Sequence, residues 1–600
     1  MPSSNPTTAY RAARDELLAV LDEHDAGRAE AARRAFRWPD VGETFNWATD
    51  WFDVVARGND RVALWIVDGE GGSRTTYAEM AARSDRLAVH LDRLGVRKGD
   101  HVLVMLGNQL ELWETMLAVM KLGAVILPTS TMLDTADLQD RIDRGGVAHV
   151  VTNHGETPKF DGVTGAPSRI VIGGAADGWT TYPDDLGTPT DTAARPVVTT
   201  LTTDPCLVYF TSGTTSKPKM VVHTQASYPI GHLSTMHWLG IRPGDVHLAI
   251  SSPGWGKHAW SCFFAPWIAE ATVFVYDTPR FDPAGLLDQL DRAGVDTFCA
   301  PPTAWRMLLQ ADLGPKPRAL REVVSAGEPL NPEVIARVQD AWGLTIRDGY
   351  GQTETTAIIA NAPGAPVTPG AMGRPLPGVT VTLLDPLTGA PVDEGEVCLD
   401  LTERPTNLMA GYLGDPDRTA DAMRDGFFHT GDVASRDADG QLTFIGRTDD
   451  VFKSSDYKVS PFEVESALLQ HAAVAESAVV PAPDAARLNV VKAYVTLAAG
   501  WEPSEETARR VLEHARTALP AYARVRRVEF GELPKTISGK IRRVELRERE
   551  ERSAASGTAV TGEWRDDQFP ELRAVGRRAD DRHGAAGSDE SGSGSDGSSS

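Results

Sequence analysis

Cysteine is scarce. Four occur in 600 residues, Cys206, Cys262, Cys299 and Cys398, and no two stand at metal-ligand spacing, so neither a disulfide framework nor a zinc finger organises the fold. They read as buried thiols in a reducing compartment, which implies a cytoplasmic protein. Positive charge is also in deficit: 60 Lys and Arg against 83 Asp and Glu leave a net charge of −23. That balance argues against nucleic acid or an anionic membrane as the main partner. A polyanionic substrate would need a local basic pocket. Long apolar runs are missing. The most apolar stretches, 112–128 and 260–276, are interrupted by charge and read as a helix running into a strand, not as an integral membrane span. The polar N-terminus (Arg14-Asp-Glu, Asp22-Glu-His-Asp) has no apolar core of a signal peptide. Repeats of solenoid or propeller type are absent as well.

What is present is a globular composition, 41% hydrophobic and 24% charged, on a chain too long for one core. Residues 1–40 are rich in Ala, Arg, Asp and Glu and are expected to form a peripheral helical extension. From Phe45 strands and helices alternate: strand 61–67, helix 77–94 with Tyr77, Met80, Leu87, Leu91 and Leu94 on one face, strand 102–106, helix 111–121, strand 124–128, helix 137–143, strand 148–152. The pattern resumes with strand 246–250, helix 260–269, strand 271–276, helix 283–293, strand 297–300, helix 302–310 and strand 321–325. This alternation predicts an α/β class with parallel βαβ units covered on both faces. After about residue 376 short strands (380–384, 395–399) mark a β-rich subdomain. Near Arg447 the pattern changes again, to helix 463–470, strands 474–481 and 492–497 and helix 504–519, a small α+β unit. Residues 551–600 are charged and then collapse into Gly/Ser/Asp repeats, a disordered tail. The expected domains are therefore 41–447 and 448–550.

The most informative stretch is Tyr209-Phe-Thr-Ser-Gly-Thr-Thr-Ser-Lys-Pro-Lys-Met-Val-Val-His-Thr. A strand breaks into hydroxyls and one glycine, two lysines follow, and a second apolar pair resumes. Such a loop offers backbone N–H groups, hydroxyls and ammonium groups to a polyanion. By itself it also reads as a solvated polar turn between two strands. It lacks the second glycine and the Lys-Ser/Thr pair of the common nucleotide loop.

Further stretches resolve the choice: Ser325-Ala-Gly-Glu-Pro, Asp348-Gly-Tyr-Gly-Gln-Thr-Glu, Phe428-His-Thr-Gly-Asp, Gly446-Arg-Thr-Asp-Asp and Pro534-Lys-Thr-Ile-Ser-Gly-Lys. With the opening loop, and in this order, they resemble the motif set of the adenylate-forming enzymes, over roughly residues 40–547. Phe45-Asn-Trp-Ala, Pro-Lys-Met in the loop and Ser460-Pro-Phe-Glu-Val-Glu are most similar to the medium-chain acyl-CoA synthetases. The resemblance implies a large N-terminal domain of layered sheets and helices with a β-rich subdomain, and a small mobile C-terminal domain.

It also implies the roles of single residues. Thr211, Ser212, Gly213, Thr214, Thr215, Ser216, Lys217, Pro218 and Lys219 would bind the β- and γ-phosphates of ATP. Glu354 would hold Mg²⁺, a hard cation suited to one carboxylate plus phosphate oxygens. Thr353 would bond the α-phosphate. Tyr350 would stack on adenine, with Gly327, Glu328 and Pro329 against its other face and Asp348 near the adenine edge, in the run that includes Gly349, Gly351 and Gln352. Asp432 would accept the ribose hydroxyls and Arg447 would reinforce the ribose or phosphate side. Lys540 would bridge the carboxylate and the α-phosphate, the main catalytic role in adenylation. Asp449 would be the hinge. CoA would enter past Ser455, Asp456, Tyr457 and Lys458.

Departures from the pattern bear on the second half-reaction. Asp456 stands where the family usually has glycine, and Lys458 where arginine is usual, which loses the bidentate fork. For the acyl pocket the candidates are Trp255, Gly256 and Gly351. Acetate-specific relatives close the pocket with tryptophan at the position of Gly351, so a larger acid is expected. Lys257 is costly beside an alkyl chain: it either points away or meets a polar substrate. The implied activity is ATP-dependent ligation of a medium-chain or aromatic carboxylic acid to CoA, releasing AMP and pyrophosphate. The alternative is loading of a carrier-protein thiol.

Overall fold

The structure is a computed structural model and describes residues 5–23, 25–68, 71–165, 167–183, 186, 195–211, 217–454, 457–484, 488–535, 541–556 and 562–572. The chain divides into two compact units, Met1–Thr430 with Ser435–Phe444, and Gly431–Ala434 with Ile445–Ser600.

The large unit is built on two sheets. In one, Val125–Pro128, His101–Met105, Val147–Asn153 and Ser168–Ile172 run parallel. Beside them lies Pro205–Thr211, paired antiparallel with Lys219–Thr224. In the other, Val62–Asp68, Thr272–Tyr276, Val246–Ala249, Thr297–Ala300, Glu322–Ala326 and Arg347–Gly351 form a parallel run. It turns antiparallel at Ala357–Ala360 and Ala371–Pro375. The parallel strands are near-continuous apolar runs because helices cover both faces. Helix Tyr77–Arg93 shows how local chemistry sets a boundary. Thr76 accepts from the N–H of Glu79, and Glu79 returns a bond to the N–H of Thr76, satisfying two N–H groups the helix would otherwise leave open.

Helix Ser227–Leu239 was not visible in the periodicity. All its residues are buried, and it packs against Lys219–Thr224 of one sheet and Ala357–Ala360 of the other. A helix enclosed on all sides has no polar face and so no amphipathic signal. The helix expected over 260–269 also differs. Helix Gly256–Ala259 passes through a π-helical turn, Trp260–Phe264, into Ala265–Ile268. Pro266 has no N–H for the carbonyl of Cys262, which instead accepts from Trp113 Nε1 at 2.7 Å, so the regular ladder is broken there.

Two expectations about the termini are corrected. Helix Pro6–Asp22 is not peripheral: Tyr10 and Leu17 are fully buried, and Tyr10 donates to the carbonyl of Pro229 at 2.8 Å. Order also extends past residue 551. Helix Arg543–Ser556 continues through that point, and Glu563–Arg565 adds a strand to the small unit. Phe569 and Leu572 enter that unit's core. Enough apolar surface is buried here to offset the entropy of ordering an otherwise polar segment.

The small unit is a sheet in the order Val474–Asp484, Leu488–Leu497, Val525–Phe530, Glu563–Arg565. Helices Pro461–Leu468 and Glu505–Ala518 supply Val464, Leu468, Val511 and Leu512 to its core. Among the described residues no helix is long and apolar enough to cross a membrane.

Candidate active site

The two strands that carry the Ser/Thr/Lys loop pair up to Thr211 and Lys219. Ser212, Gly213, Thr214, Thr215 and Ser216 lie outside the described residues. The loop's far end is held by salt bridges and a carbonyl bond. Arg144 donates to the carbonyl of Pro218 at 2.8 Å and pairs with Asp140 at 2.9 Å. Lys217 lies 3.8 Å from the same Asp140. Lys219 turns inward: its Nζ is 3.7 Å from Glu354 Oε1 and 3.5 Å from the Tyr412 hydroxyl. Tyr412 donates to Glu354 Oε1 at 2.9 Å. Arg144, Lys217, Lys219, Tyr412, Asp415 and Arg418 line a cleft of about 300 Å³. A predominantly cationic cleft beside this loop is suited to a phosphate chain.

Glu354 is a buried carboxylate at 8% exposure, and its main-chain carbonyl accepts from Met409 N at 2.8 Å. An oxygen donor of this kind, bonded to two residues that line the cleft, fits a hard divalent cation.

Thr353 is fixed through its backbone. His223 Nε2 donates to the carbonyl of Thr353 at 2.7 Å, and His223 Nδ1 accepts from Ser227 Oγ at 3.0 Å. Burial pushes His223 down to about 4, so the ring is neutral and keeps this one tautomer. Gly256 abuts the side chain of Thr353. A methyl group at Gly256 would stand 3.6 Å from Thr353 Oγ1 and 3.2 Å from the Tyr228 hydroxyl. The segment with Trp255 and Gly256 is thus brought to Thr353.

Asp348 sits in the interior at 7% exposure and accepts from the N–H groups of Gly349, at 3.0 Å, and of Leu330. Leu330 directly follows Gly327-Glu328-Pro329, so the carboxyl ties that turn to the strand bearing Tyr350. In the turn, Gly327 has φ +106°, a conformation that favours glycine. Glu328 accepts from Thr303 Oγ1 at 3.0 Å. Tyr350 is half-buried on the same strand. Gly349 is required by packing, since a Cβ there would lie 2.3 Å from the Trp238 ring. Gln352 donates to the carbonyl of Thr430 at 2.8 Å.

Burial pushes the Asp348 carboxyl up to about 7, against the opposing pull of its backbone donors and Lys257. The folded state therefore holds a proton that the unfolded chain releases near the ordinary value of 3.8. The stabilisation is complete below that value and is lost as pH rises through about 7. Asp348→Asn should gain on the wild type as pH is raised from 5 to 8, read as the difference in melting temperature. A difference that stays constant over this range would contradict the assignment.

Gly351 is closely packed. A Cβ there would lie 2.1 Å from the carbonyl oxygen of Thr356 and 2.9 Å from Trp260 Cη2. The irregular pairing of Gly351 with Ala357 brings that carbonyl close, and the buried Trp260 ring lies on the same side. Trp260 Nε1 is held by the Tyr228 hydroxyl at 2.9 Å.

In the small unit Asp432, Arg447 and Asp449 form one group. Arg447 reaches Asp432 Oδ1 at 3.5 Å and Asp449 Oδ1 at 3.2 Å. Thr448 N donates to the carbonyl of Gly431 at 2.8 Å. Tyr457 and Lys458 lie on a strand paired with Phe452–Ser454, whereas Ser455, Asp456 and Lys540 fall outside the described residues. Reasoning from sequence missed His223, Tyr412, Arg144 and Trp260. Each acts through a contact between segments distant in the chain, and no local spacing marks it.

A parallel sheet turning antiparallel at Tyr350 and a cationic cleft beside a Ser/Thr/Lys loop, with a buried glutamate bonded to two of its lining residues, are what a nucleotide-dependent ligase needs. The AMP-binding enzyme family model matches residues 51–413, and the AMP-binding enzyme C-terminal domain matches residues 463–540. The chain belongs to this family of adenylate-forming enzymes, close to the medium-chain acyl-CoA synthetases, and is an acid–thiol ligase. It is 41% identical over 536 residues to 4-hydroxybutyrate–CoA ligase 1 of Metallosphaera sedula, covering 87% of this chain and 93% of that protein. It is 36% identical to the mitochondrial acyl-coenzyme A synthetase ACSM3 of Mus musculus, over 85% of this chain and 91% of that one. The crystal structure of the anthranilate CoA ligase AuaEII in complex with anthranoyl-AMP superposes with a TM-score of 0.77 at 28% identity, covering 86% of this chain and 99% of that one.

Proposed function

We propose that the protein activates a medium-chain or aromatic carboxylic acid with MgATP and transfers the acyl group to CoA. In the first half-reaction a carboxylate oxygen attacks the α-phosphorus, the bond to the bridging oxygen breaks, and pyrophosphate leaves. In the second, the CoA sulfur attacks the acyl carbon, AMP departs with the bonding electrons, and the thiol proton goes to solvent. The Lys219–Tyr412–Glu354 cluster beside the cationic cleft carries this reading. It offers positive charge to the leaving pyrophosphate and one buried carboxylate for Mg²⁺, which would neutralise phosphate charge when bound. Thr353, fixed by His223, donates toward the α-phosphate. Asp432 and Arg447 take the ribose side. Lys540 supplies the cation at the reacting oxygens, and rotation about Asp449 exchanges the adenylating face for the CoA-binding residues Ser455, Asp456, Tyr457 and Lys458. An acid larger than acetate is supported by the relatives named for 4-hydroxybutyrate and for anthranilate.

The deciding experiment supplies preformed acyl-AMP with either CoA or a phosphopantetheinylated carrier protein. Consumption with CoA supports the reading; consumption only with the carrier replaces it by the carrier-loading alternative. Glu354→Gln should lower carboxylate-dependent ATP–pyrophosphate exchange by about 100-fold and raise the Mg²⁺ concentration needed for half-maximal rate. An unchanged Mg²⁺ requirement would remove Glu354 as the metal ligand.

A further inference from the structure

Lys257 is a half-buried residue whose charged end nothing else accounts for. It follows Gly256, which abuts Thr353, so its side chain begins at the wall of the acyl site. Its Nζ is shielded from solvent and has no hydrogen-bond partner among the described residues. Asp348, His247, Cys262 and Cys299 lie close enough to feel its charge. Asp348 accepts from two backbone N–H groups. His247 Nδ1 is engaged by Thr297 Oγ1 at 2.6 Å. The Cys262 thiol lies 3.8 Å from the carbonyl of Ala249. A shielded ammonium with no acceptor is among the costliest groups in an interior, and a purely structural lysine finds a partner on folding.

We infer that Lys257 reads the distal end of the acid: the substrate carries a hydrogen-bond acceptor, a hydroxyl or a second carboxylate, at the end away from the reacting carboxylate. The inference rests on the ligase reading above and narrows its substrate class. An acid with such an acceptor completes the three-donor ammonium. An apolar acid of equal length leaves it buried and unpaired, and a site built around an unmet polar group rejects the analogue that cannot satisfy it far more strongly than an apolar pocket rejects one methylene.

The test compares acids matched in length, butyrate with 4-hydroxybutyrate and succinate, and benzoate with 4-hydroxybenzoate, by acid-dependent ATP–pyrophosphate exchange in wild type and Lys257→Met. Wild type should favour at least one polar acid over its apolar partner by about 100-fold or more in kcat/KM. Lys257→Met should bring that ratio to within about 10-fold of unity, chiefly by improving the apolar acid, while the KM for ATP stays unchanged. Whether the hydroxyl or the second carboxylate is the acceptor follows from which acid loses most. Lys257→Met should also raise the melting temperature, since a buried unpaired charge is removed; a fall would show that the lysine has a structural partner and would overturn the inference. A wild type that prefers the apolar acids, or a polar-to-apolar ratio unmoved by Lys257→Met, also overturns it and leaves the ligase reading standing. Absence of exchange and of thioester formation with every acid would instead refute the ligase reading itself.

Discussion

Lys540→Ala should slow acyl-adenylate formation by about 1,000-fold and leave thioester formation from supplied acyl-AMP within a few-fold of wild type. The split follows from the chemistry of the two steps. Adenylation brings a carboxylate onto a phosphate, two anions, and charge grows on the phosphoryl oxygens; a fixed ammonium is most useful there. Thioester formation expels AMP from a neutral acyl carbon and has no comparable approach of anions. The loop that bears Lys540 springs from a closed base. Lys535 and Ile541 form a backbone bridge, and Arg542 N donates to the carbonyl of Pro534 at 2.8 Å. Arg543 grips Glu465 at 2.6 and 2.9 Å, and Glu465 accepts from Val479 N at 2.8 Å. Single-turnover assays of each half-reaction check the prediction. Equal loss in both would contradict the role assigned to Lys540, whereas Arg543→Ala, which loosens the base, should weaken adenylation less than removal of the lysine.

The largest stability effect is expected from Lys492→Met. Lys492 is fully buried in the small unit and lies within an ion-pair distance of three carboxylates: Glu529 at 2.9 Å, Glu550 at 2.7 Å and Glu563 at 2.8 Å. Each comes from a different segment, and Glu563 belongs to the strand beyond the long helix Arg543–Ser556. Removing this shared cation leaves three acids whose ligand oxygens lie within 4.8 Å of one another, with Arg549 and Arg565 still paired to Glu529 and Glu563 from the outside. The expected cost is about 3–5 kcal/mol, which for a unit of this size corresponds to a melting shift of order 10 °C. The pH response should also change sign. In wild type, burial pushes Glu563 up, but Lys492 and Arg565 outweigh it and hold the carboxyl below its ordinary value. That contribution is present at neutral pH and is lost as pH falls through the folded-state value. Without Lys492, mutual repulsion favours protonation in the folded state, so acidification from pH 7 to 5 should recover stability. Calorimetric scans at the two pH values decide it; a variant that melts like wild type, or weakens further on acidification, would show that the three carboxylates are not held by Lys492.

Much of this was legible before any coordinates. The alternation of strands and helices from Phe45 onward carried the α/β class, because parallel strands covered on both faces leave long apolar runs separated by helical periods. The candidate site was legible in its motifs: hydroxyls and lysines between two strands, a Gly-Gln-Thr-Glu run, a Thr-Gly-Asp turn. Local signals stopped where burial became complete. Ser227–Leu239 has no polar stripe, so neither its existence nor its place between the sheets could be read from periodicity. The helix Pro6–Asp22 is rich in charge, yet it seats Tyr10 against that hidden helix. At the C-terminus, composition suggested a tail from 551, but Glu563, Trp564, Phe569 and Leu572 are few enough to leave composition polar while still closing the small unit's core.

The sequence by itself determined the class of enzyme, since phosphate-binding loops and their strand boundaries are built from neighbours in the chain, where residue type and spacing are the chemistry. Only the tertiary structure decided how those groups are held and what the acyl site presents. Tyr412 reaches Glu354 across 58 positions, and His223 reaches Thr353 across 130. Trp260, 91 positions away in the chain, packs against Gly351. Lys257 was ambiguous as a letter in a string; only the fold shows that its Nζ is shielded and without a hydrogen-bond partner among the described residues, because whether a shielded charge is paired depends on groups that folding brings near it and not on its neighbours in sequence.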